Sequence, residues 1–237
     1  MSTLRGILFD YSGTALISDK FNLKAGLVAM CSHFDLKSGP DLEEIVNFAS
    51  ELELRFQELR NQAVLEFSFD KLIRIIIDYF GIRTEKSLRE LEAVYYETAF
   101  SYKAAPDIRQ FLEQARAAGI RTGIVSNCTH SGALLQRKIR KAGIEDLFDF
   151  VMSSSDYGIR KQDQLLFDVA IRKLGFQKNE VVFIGDNLDF DIVTAQSAGI
   201  TAAWYNAKMK EAGHVSPDYI FGNWKDVSYT MFAPTDS

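Results

Sequence analysis

Short apolar runs alternate with amphipathic stretches along most of the chain. Gly6-Ile7-Leu8-Phe9 is an unbroken hydrophobic segment, which predicts a strand buried on both faces; the turn Asp10-Tyr11-Ser12-Gly13-Thr14 ends it. From about 15 to 102 the pattern is helical. A helix from Asp41 to about Asn61 opens with acids after Pro40; Phe69, Leu72, Ile73, Ile76 and Ile77 mark a second apolar face, and Leu88, Leu91, Val94 and Tyr95 a third. No strand-like segment is expected within this stretch.

Beyond Pro106 the rhythm changes. Predicted helices over 108–118, 131–142, 163–174 and 191–198 are each closed by a glycine, and they alternate with predicted strands over 121–125, 148–152, 181–184 and 201–205. Repeated strand-helix units predict an α/β fold, a Rossmann-like doubly wound parallel sheet. The first strand belongs to that sheet and is split from it by an all-helical insert. The expected division is therefore a core of residues 1–15 and 103–237 and a helical insert of 16–102.

Composition narrows the function classes. The 237 residues are long enough to bury a large core. A net charge of −5, with scattered Lys and Arg, predicts neither a nucleic-acid-binding nor a membrane surface. No apolar run reaches membrane-spanning length and residues 1–5 do not read as a signal peptide, so a cytoplasmic location is expected. Oligomeric state leaves no trace in the sequence. Cys31 and Cys128 give no disulfide framework, and the pairs Cys31/His33 and Cys128/His130 match no common zinc spacing.

Each predicted core strand ends in something polar. The first ends in Asp10, Ser12 and Thr14; the second in Ser126 and Asn127; Arg160 and Lys161 follow the third; Asp186, Asn187, Asp189 and Asp191 follow the fourth. In open α/β sheets these ends face the ligand crevice. The carboxylates suit a hard cation such as Mg2+, which takes one or two carboxylates together with phosphate oxygens. Lys161 offers a point charge and Ser126 a hydroxyl for phosphate. A carboxylate nucleophile, a metal and a lysine are what phosphoryl transfer through an aspartyl phosphate requires.

These four stretches resemble the motifs of the haloacid dehalogenase-like hydrolase superfamily, in its phosphatase-type branch. Asp10-Tyr11-Ser12-Gly13-Thr14 is similar to the first motif, Asp-x-Asp-Gly-Thr, whose first Asp is the nucleophile. Ser126, with Asn127 beside it, resembles the second motif, which binds the phosphoryl group. Lys161 resembles the third-motif lysine, with Gln162 where proline usually follows. Asp186 and Asp191 resemble the acidic fourth motif. The resemblance implies a Mg2+-dependent hydrolase of a small phosphorylated metabolite, with the metal held by Asp10, the Ser12 carbonyl, Asp186 and Asp191. It also implies that the insert is a cap domain closing over the site. The segment 201–206, with 217–220 after it, resembles the end of the branch that includes pyrimidine nucleotidases; Trp204 and Tyr205 read as packing residues.

One position departs from the motif. Ser12 stands where phosphatases of this kind carry the Asp that acts as general acid and base, and a hydroxyl holds no proton that dissociates near neutral pH. The loss of a general acid costs about 10²–10⁴-fold in rate, so turnover would depend on how well the leaving group departs unaided. Reduced or altered activity is therefore expected. Two alternatives stay open: a weak or inactive relative that binds a phosphorylated ligand or partner, and a hydrolase of C-halogen or C-P bonds. Dehalogenases of this fold carry Tyr here and use no metal, which the acids at 186 and 191 oppose. Phosphonoacetaldehyde hydrolases use a cap lysine; neither Lys20 nor Lys24 lies in a recognisable motif. His130 is expected on a solvated first helical turn, with service as a substitute acid or base the less favoured reading.

Overall fold

The computed structural model describes residues 3–36 and 39–232. β1 (Gly6–Phe9) is buried along its whole length, as its unbroken apolar run requires. Ile7 and Phe9 enter the hydrophobic layer on one face of the sheet and Leu8 the layer on the other, the two-residue period of a strand covered on both sides. The chain then runs through β2 (Leu16–Phe21), α1 (Leu23–Cys31), α2 (Leu42–Asn61), α3 (Phe69–Phe80), α4 (Leu88–Ala99), β3 (Phe100–Ala104) and α5 (Ile108–Ala117). β4 (Arg121–Ser126), α6 (Gly132–Lys141), β5 (Phe150–Ser153), a single turn α7 (Ser154–Tyr157) and α8 (Gln164–Leu174) follow. β6 (Val181–Gly185), α9 (Val193–Ser197), β7 (Thr201–Tyr205) and β8 (Tyr219–Phe221) complete the order.

The main sheet has the order β5-β4-β1-β6-β7-β8, and every pairing in it is parallel. β1 lies between β4 and β6, so the ends of all three meet at one place. The chain fills one side of β1 with β4 and β5 and then crosses to the other for β6, which makes this the switch point where such sheets bind ligands.

The helical stretch carries two strands that its sequence does not announce. β2 and β3 pair antiparallel, Leu16 opposite Ala104 and Phe21 opposite Phe100, with a bulge between Ser18 and Lys20. β2 is exposed after Leu16 and lacks a buried face, and its partner lies some eighty positions along the chain. Long-range pairing, rather than local pattern, makes it a strand. This ribbon carries α1–α4, which bury a core of their own around Leu27, Ile45, Leu72, Ile76, Leu91 and Tyr95. α3 shows why: Phe69, Leu72, Ile73 and Ile76 recur at helical spacing and are its buried residues. α4 starts at a reciprocal cap, in which the Glu90 N–H donates to Ser87 Oγ and the Ser87 N–H to Glu90 Oε2.

Three other details differ from expectation. The third core strand begins at Phe150 rather than 148, because Glu145–Leu147 forms a tight turn whose Glu145 carbonyl accepts the Phe148 N–H. The helix expected from Asp191 begins instead with a wide turn, Leu188–Ile192, in which the Asn187 carbonyl accepts the N–H of Ile192 as well as that of Asp191. β8 is three residues long, too short to leave a sequence pattern. Among the described residues no helix is long and apolar enough to cross a membrane.

Candidate active site

Asp10 continues the β1 ladder by one bond, its N–H donating to the Ile184 carbonyl at 2.8 Å. Its side chain therefore stands at the shared end of β1, β4 and β6. The loop then folds tightly back: the Leu16 N–H reaches the Tyr11 carbonyl and the Gly13 N–H the Leu16 carbonyl, both at 2.8 Å. Gly13 is required twice over. Its φ is +97°, and a Cβ there would lie 2.5 Å from Asp186 Oδ2. The motif glycine thus makes room for the fourth-motif acid. Gly185 does the same on β6, since a Cβ on it would fall 2.4 Å from the Asp191 Cβ.

Lys161 is the hub. Its Nζ donates to Asp10 Oδ1 at 2.6 Å and to Asp191 Oδ1 at 2.5 Å, and all three side chains are buried. Burial works against the ammonium, but the Asp10 and Asp191 carboxylates outweigh it and hold the lysine above its ordinary range. Burial pushes the Asp10 carboxyl up to about 7, against the pull of Lys161. Asp186 is also raised, by burial first and then by Asp191. The wide turn after β6 carries the Asp191 Oδ2 back to the Asn187 N–H at 3.0 Å, so both Asp191 oxygens are engaged.

Oxygens of Asp10, Asp186 and Asp191 lie within 4.8 Å of one another, the one such cluster among the described residues. Cys31 is buried in the helical core and Cys128 packs against the core on one face of the sheet, and among the described residues no Cys-His metal group appears. The peptide of Asp186 is braced by Trp204, whose Nε1 donates to the Asp186 carbonyl at 3.0 Å. That contact gives a reason for an aromatic on β7. A cleft of about 320 Å³ opens beside Asp186, Ser12 and Gly13 and is lined on its far side by Lys208 and Lys210.

The other predicted residues take distinct places. Ser126 is buried at the end of β4, in register with Ser153 of β5. Asn127 staples the third-motif loop: its Oδ1 accepts the Lys161 N–H at 2.8 Å and its Nδ2 donates to Gln162 Oε1 at 3.1 Å. Gln162, in the position proline usually holds, is thereby part of what fixes Lys161. Ser12 is exposed and lines the cleft beside Asp186. Tyr102 on β3 is pushed up to about 12 by burial. Lys20 and Lys24 are exposed on the ribbon and on α1.

His130 does not lie on a solvated turn. Phe69, Tyr95, Tyr96 and Phe100 enclose its ring at centroid distances of 4.7, 5.6, 4.6 and 5.5 Å. All four belong to the helical stretch, so the local sequence around 130 carried no sign of them. Glu92 Oε1 lies 3.2 Å from Nδ1, yet burial prevails and holds the imidazole below its usual range.

A buried clamp was also invisible in the sequence. Glu66, in the loop between α2 and α3, accepts from Arg60 at 2.5 and 2.9 Å and from Ser154 Oγ at 2.6 Å. The same loop pairs with the backbone just before Lys161: the Arg160 N–H donates to the Val64 carbonyl at 2.8 Å and the Glu66 N–H to the Gly158 carbonyl at 3.0 Å.

The family model for haloacid dehalogenase-like hydrolases matches residues 31–205. A glyceraldehyde 3-phosphate phosphatase of Methanopyrus kandleri is 31% identical over 207 residues, covering 83% of this chain and 82% of that protein. A phosphoserine phosphatase of Thermus thermophilus is 28% identical over 159 residues, 67% of this chain and 63% of its own length. The crystal structure of a HAD phosphatase from Thermococcus onnurineus shares the fold, with a TM-score of 0.62 and 23% identity over 94% of this chain and 95% of that one. With the strand-end motifs assembled at one switch point, the chain belongs to the haloacid dehalogenase-like hydrolases.

Proposed function

We propose that the chain is a Mg2+-dependent phosphohydrolase of small phosphate esters that works through an aspartyl phosphate on Asp10. The buried Lys161 carries this reading, because it spans Asp10 and Asp191 where β1, β4 and β6 end. The relatives' names as phosphatases agree with it. The carboxylates at 10, 186 and 191 suit a hard cation, with the Ser12 carbonyl on the same loop, and Gly13 lets the Asp186 carboxylate approach that loop. Mg2+ bound there supplies charge neutralisation for the transferring phosphoryl group.

In this mechanism the Asp10 carboxylate attacks phosphorus, while Lys161 and Ser126 hold the phosphoryl oxygens and Asn127 fixes the Lys161 backbone. Asp191 keeps Lys161 aligned. The helical stretch 16–102 acts as a cap on the core of 1–15 and 103–237. Ser12 gives no proton to the leaving group and takes none from the water that later cleaves the acyl phosphate, so both half-reactions are slowed.

Turnover of acetyl phosphate and phenyl phosphate with Mg2+ tests the reading. Activity is expected to be weak, to be lost in Asp10→Asn and on chelation of the metal, and to rise about 10²-fold or more in Ser12→Asp. Activity that survives Asp10→Asn would sink the phosphoaspartate mechanism. Ser12 also favours a second reading, a protein that binds a phosphorylated ligand without turnover; a Ser12→Asp variant that stays inactive while still binding phosphate supports it.

A further inference from the structure

Two separate observations bear on which phosphate ester the site takes. The first is chemical. With Ser12 in place of the acid, the leaving oxygen must depart without a proton, and a phenol, with a pKa of about 10, does so far more readily than an aliphatic alcohol. The second is a cavity of about 350 Å³ in the seam between the helical stretch and the sheet. Its floor is Asn127–His130, so it begins one residue along the chain from Ser126, which is assigned to the phosphoryl group. Its walls are largely apolar, with Leu54, Leu72 and the pair Phe56 and Phe67, whose rings stack 5.3 Å apart at 12°, and with Ser50, Gln57 and Ser68 among the polar residues.

The cation on that lining is already answered. Arg60 is the cation among its residues, and its guanidinium is taken by Glu66 through two hydrogen bonds. Burial holds His130 below its usual range, which leaves the ring neutral, and burial raises Glu53. A second anionic group, such as the carboxylate of an amino acid or sugar acid, finds no counter-charge here, whereas a planar apolar ring finds stacking surfaces.

We propose that the substrates of this site are aryl phosphates, with the aromatic ring seated in the seam cavity and the phosphoryl group at Asp10. The proposal rests on the phosphohydrolase reading above. In the first step an Asp10 oxygen bonds to phosphorus and the bond from phosphorus to the aryl oxygen breaks. Its electron pair leaves on the phenolate, which takes a proton from solvent. Water then cleaves the acyl phosphate, releasing inorganic phosphate and restoring the Asp10 carboxylate.

The test compares kcat/KM for phenyl phosphate, glycerol 3-phosphate and acetyl phosphate, in the full chain with Mg2+. Acetyl phosphate has a good leaving group and no ring, so it separates the chemistry from the cavity. Phenyl phosphate is expected to exceed glycerol 3-phosphate by at least about tenfold, and Phe67→Ala to lower the phenyl-to-acetyl ratio by about tenfold. Leu54→Ser, at a rim position that is 62% exposed and so safe for folding, is expected to lower the same ratio by a smaller factor. A preference for glycerol 3-phosphate, or a ratio that moves in neither variant while acetyl phosphate is still turned over, overturns the aryl proposal and leaves the phosphohydrolase standing. Acetyl phosphate turnover that is absent, or that persists in Asp10→Asn, overturns both.

Discussion

Lys161 and His130 are buried almost equally, at 2% and 3% exposure, and both follow strands of the same sheet, yet their surroundings move their proton affinities in opposite directions. Lys161 meets two carboxylates in direct contact and stays an ammonium. His130 meets one carboxylate and four aromatic rings, and burial decides the matter in favour of the neutral ring. Burial alone does not set the sign of the shift; the number of counter-charges in contact does. The same difference separates a place built to hold developing negative charge from one built to exclude it.

Removing the lysine tests the charged half most severely. Lys161→Met leaves Asp10 and Asp191 facing each other without their shared cation, which is expected to cost about 3–5 kcal/mol of stability at pH 7 in a urea titration. The loss should shrink as the pH falls and the stranded carboxylates take up protons. A loss below about 1 kcal/mol would show that solvent reaches the pair.

On the neutral side the expected loss is smaller. Glu92 Oε1 receives the Ser131 N–H as well as facing His130 Nδ1, both at 3.2 Å. Glu92→Leu strands these groups and should cost about 1–3 kcal/mol. If thermal and urea unfolding agree on no change, the Glu92 contacts are not what orders this seam.

The smallest effect is a slope. The folded pKa of His130 is lowered by burial, so below about 6.5 the unfolded chain binds a proton that the folded chain refuses. Its contribution is fully present above that pH and is lost as the pH falls towards the folded value, by at most about 1.4 kcal/mol per pH unit. Unfolding free energies between pH 5 and 8 should show this slope in the native chain and a shallower one in His130→Gln. Equal slopes in the two proteins would assign the dependence to other groups.

The charged site was legible because each of its parts is a local pattern. Apolar runs that stop at Asp10, Ser126 and Asp186 mark strand ends, and parallel topology brings strand ends together. Gly13 and Gly185 were visible as residues, but the reason for them, the approach of Asp186 and Asp191, appears only in three dimensions. Asn127 reads in sequence as a ligand for substrate, and the bonds of its carboxamide to the loop of Lys161 and Gln162 appear only in three dimensions. The aromatic seam was not legible. Phe69, Tyr95 and Phe100 each belong to a helical face or a weak strand when taken locally, and they reach His130 only through packing of one stretch on another. The ribbon of β2 and β3 was missed for the same reason: its pairing is non-local and its outer face is wet.

The loop between α2 and α3 sets a limit on modular engineering. Helical inserts of this kind invite transplantation, as though two flanking junctions were the whole connection. Here the helical stretch has a third attachment: Val64 and Glu66 pair with Arg160 and Gly158, Glu66 seats on Ser154, and the Phe69 N–H donates to the Thr129 carbonyl at 2.9 Å. A chimera that exchanges 16–102 alone would leave the loop before Lys161 without the backbone it pairs with. Recombination would have to carry 154–160 along with the helical stretch, so the loop that seats the lysine travels with it.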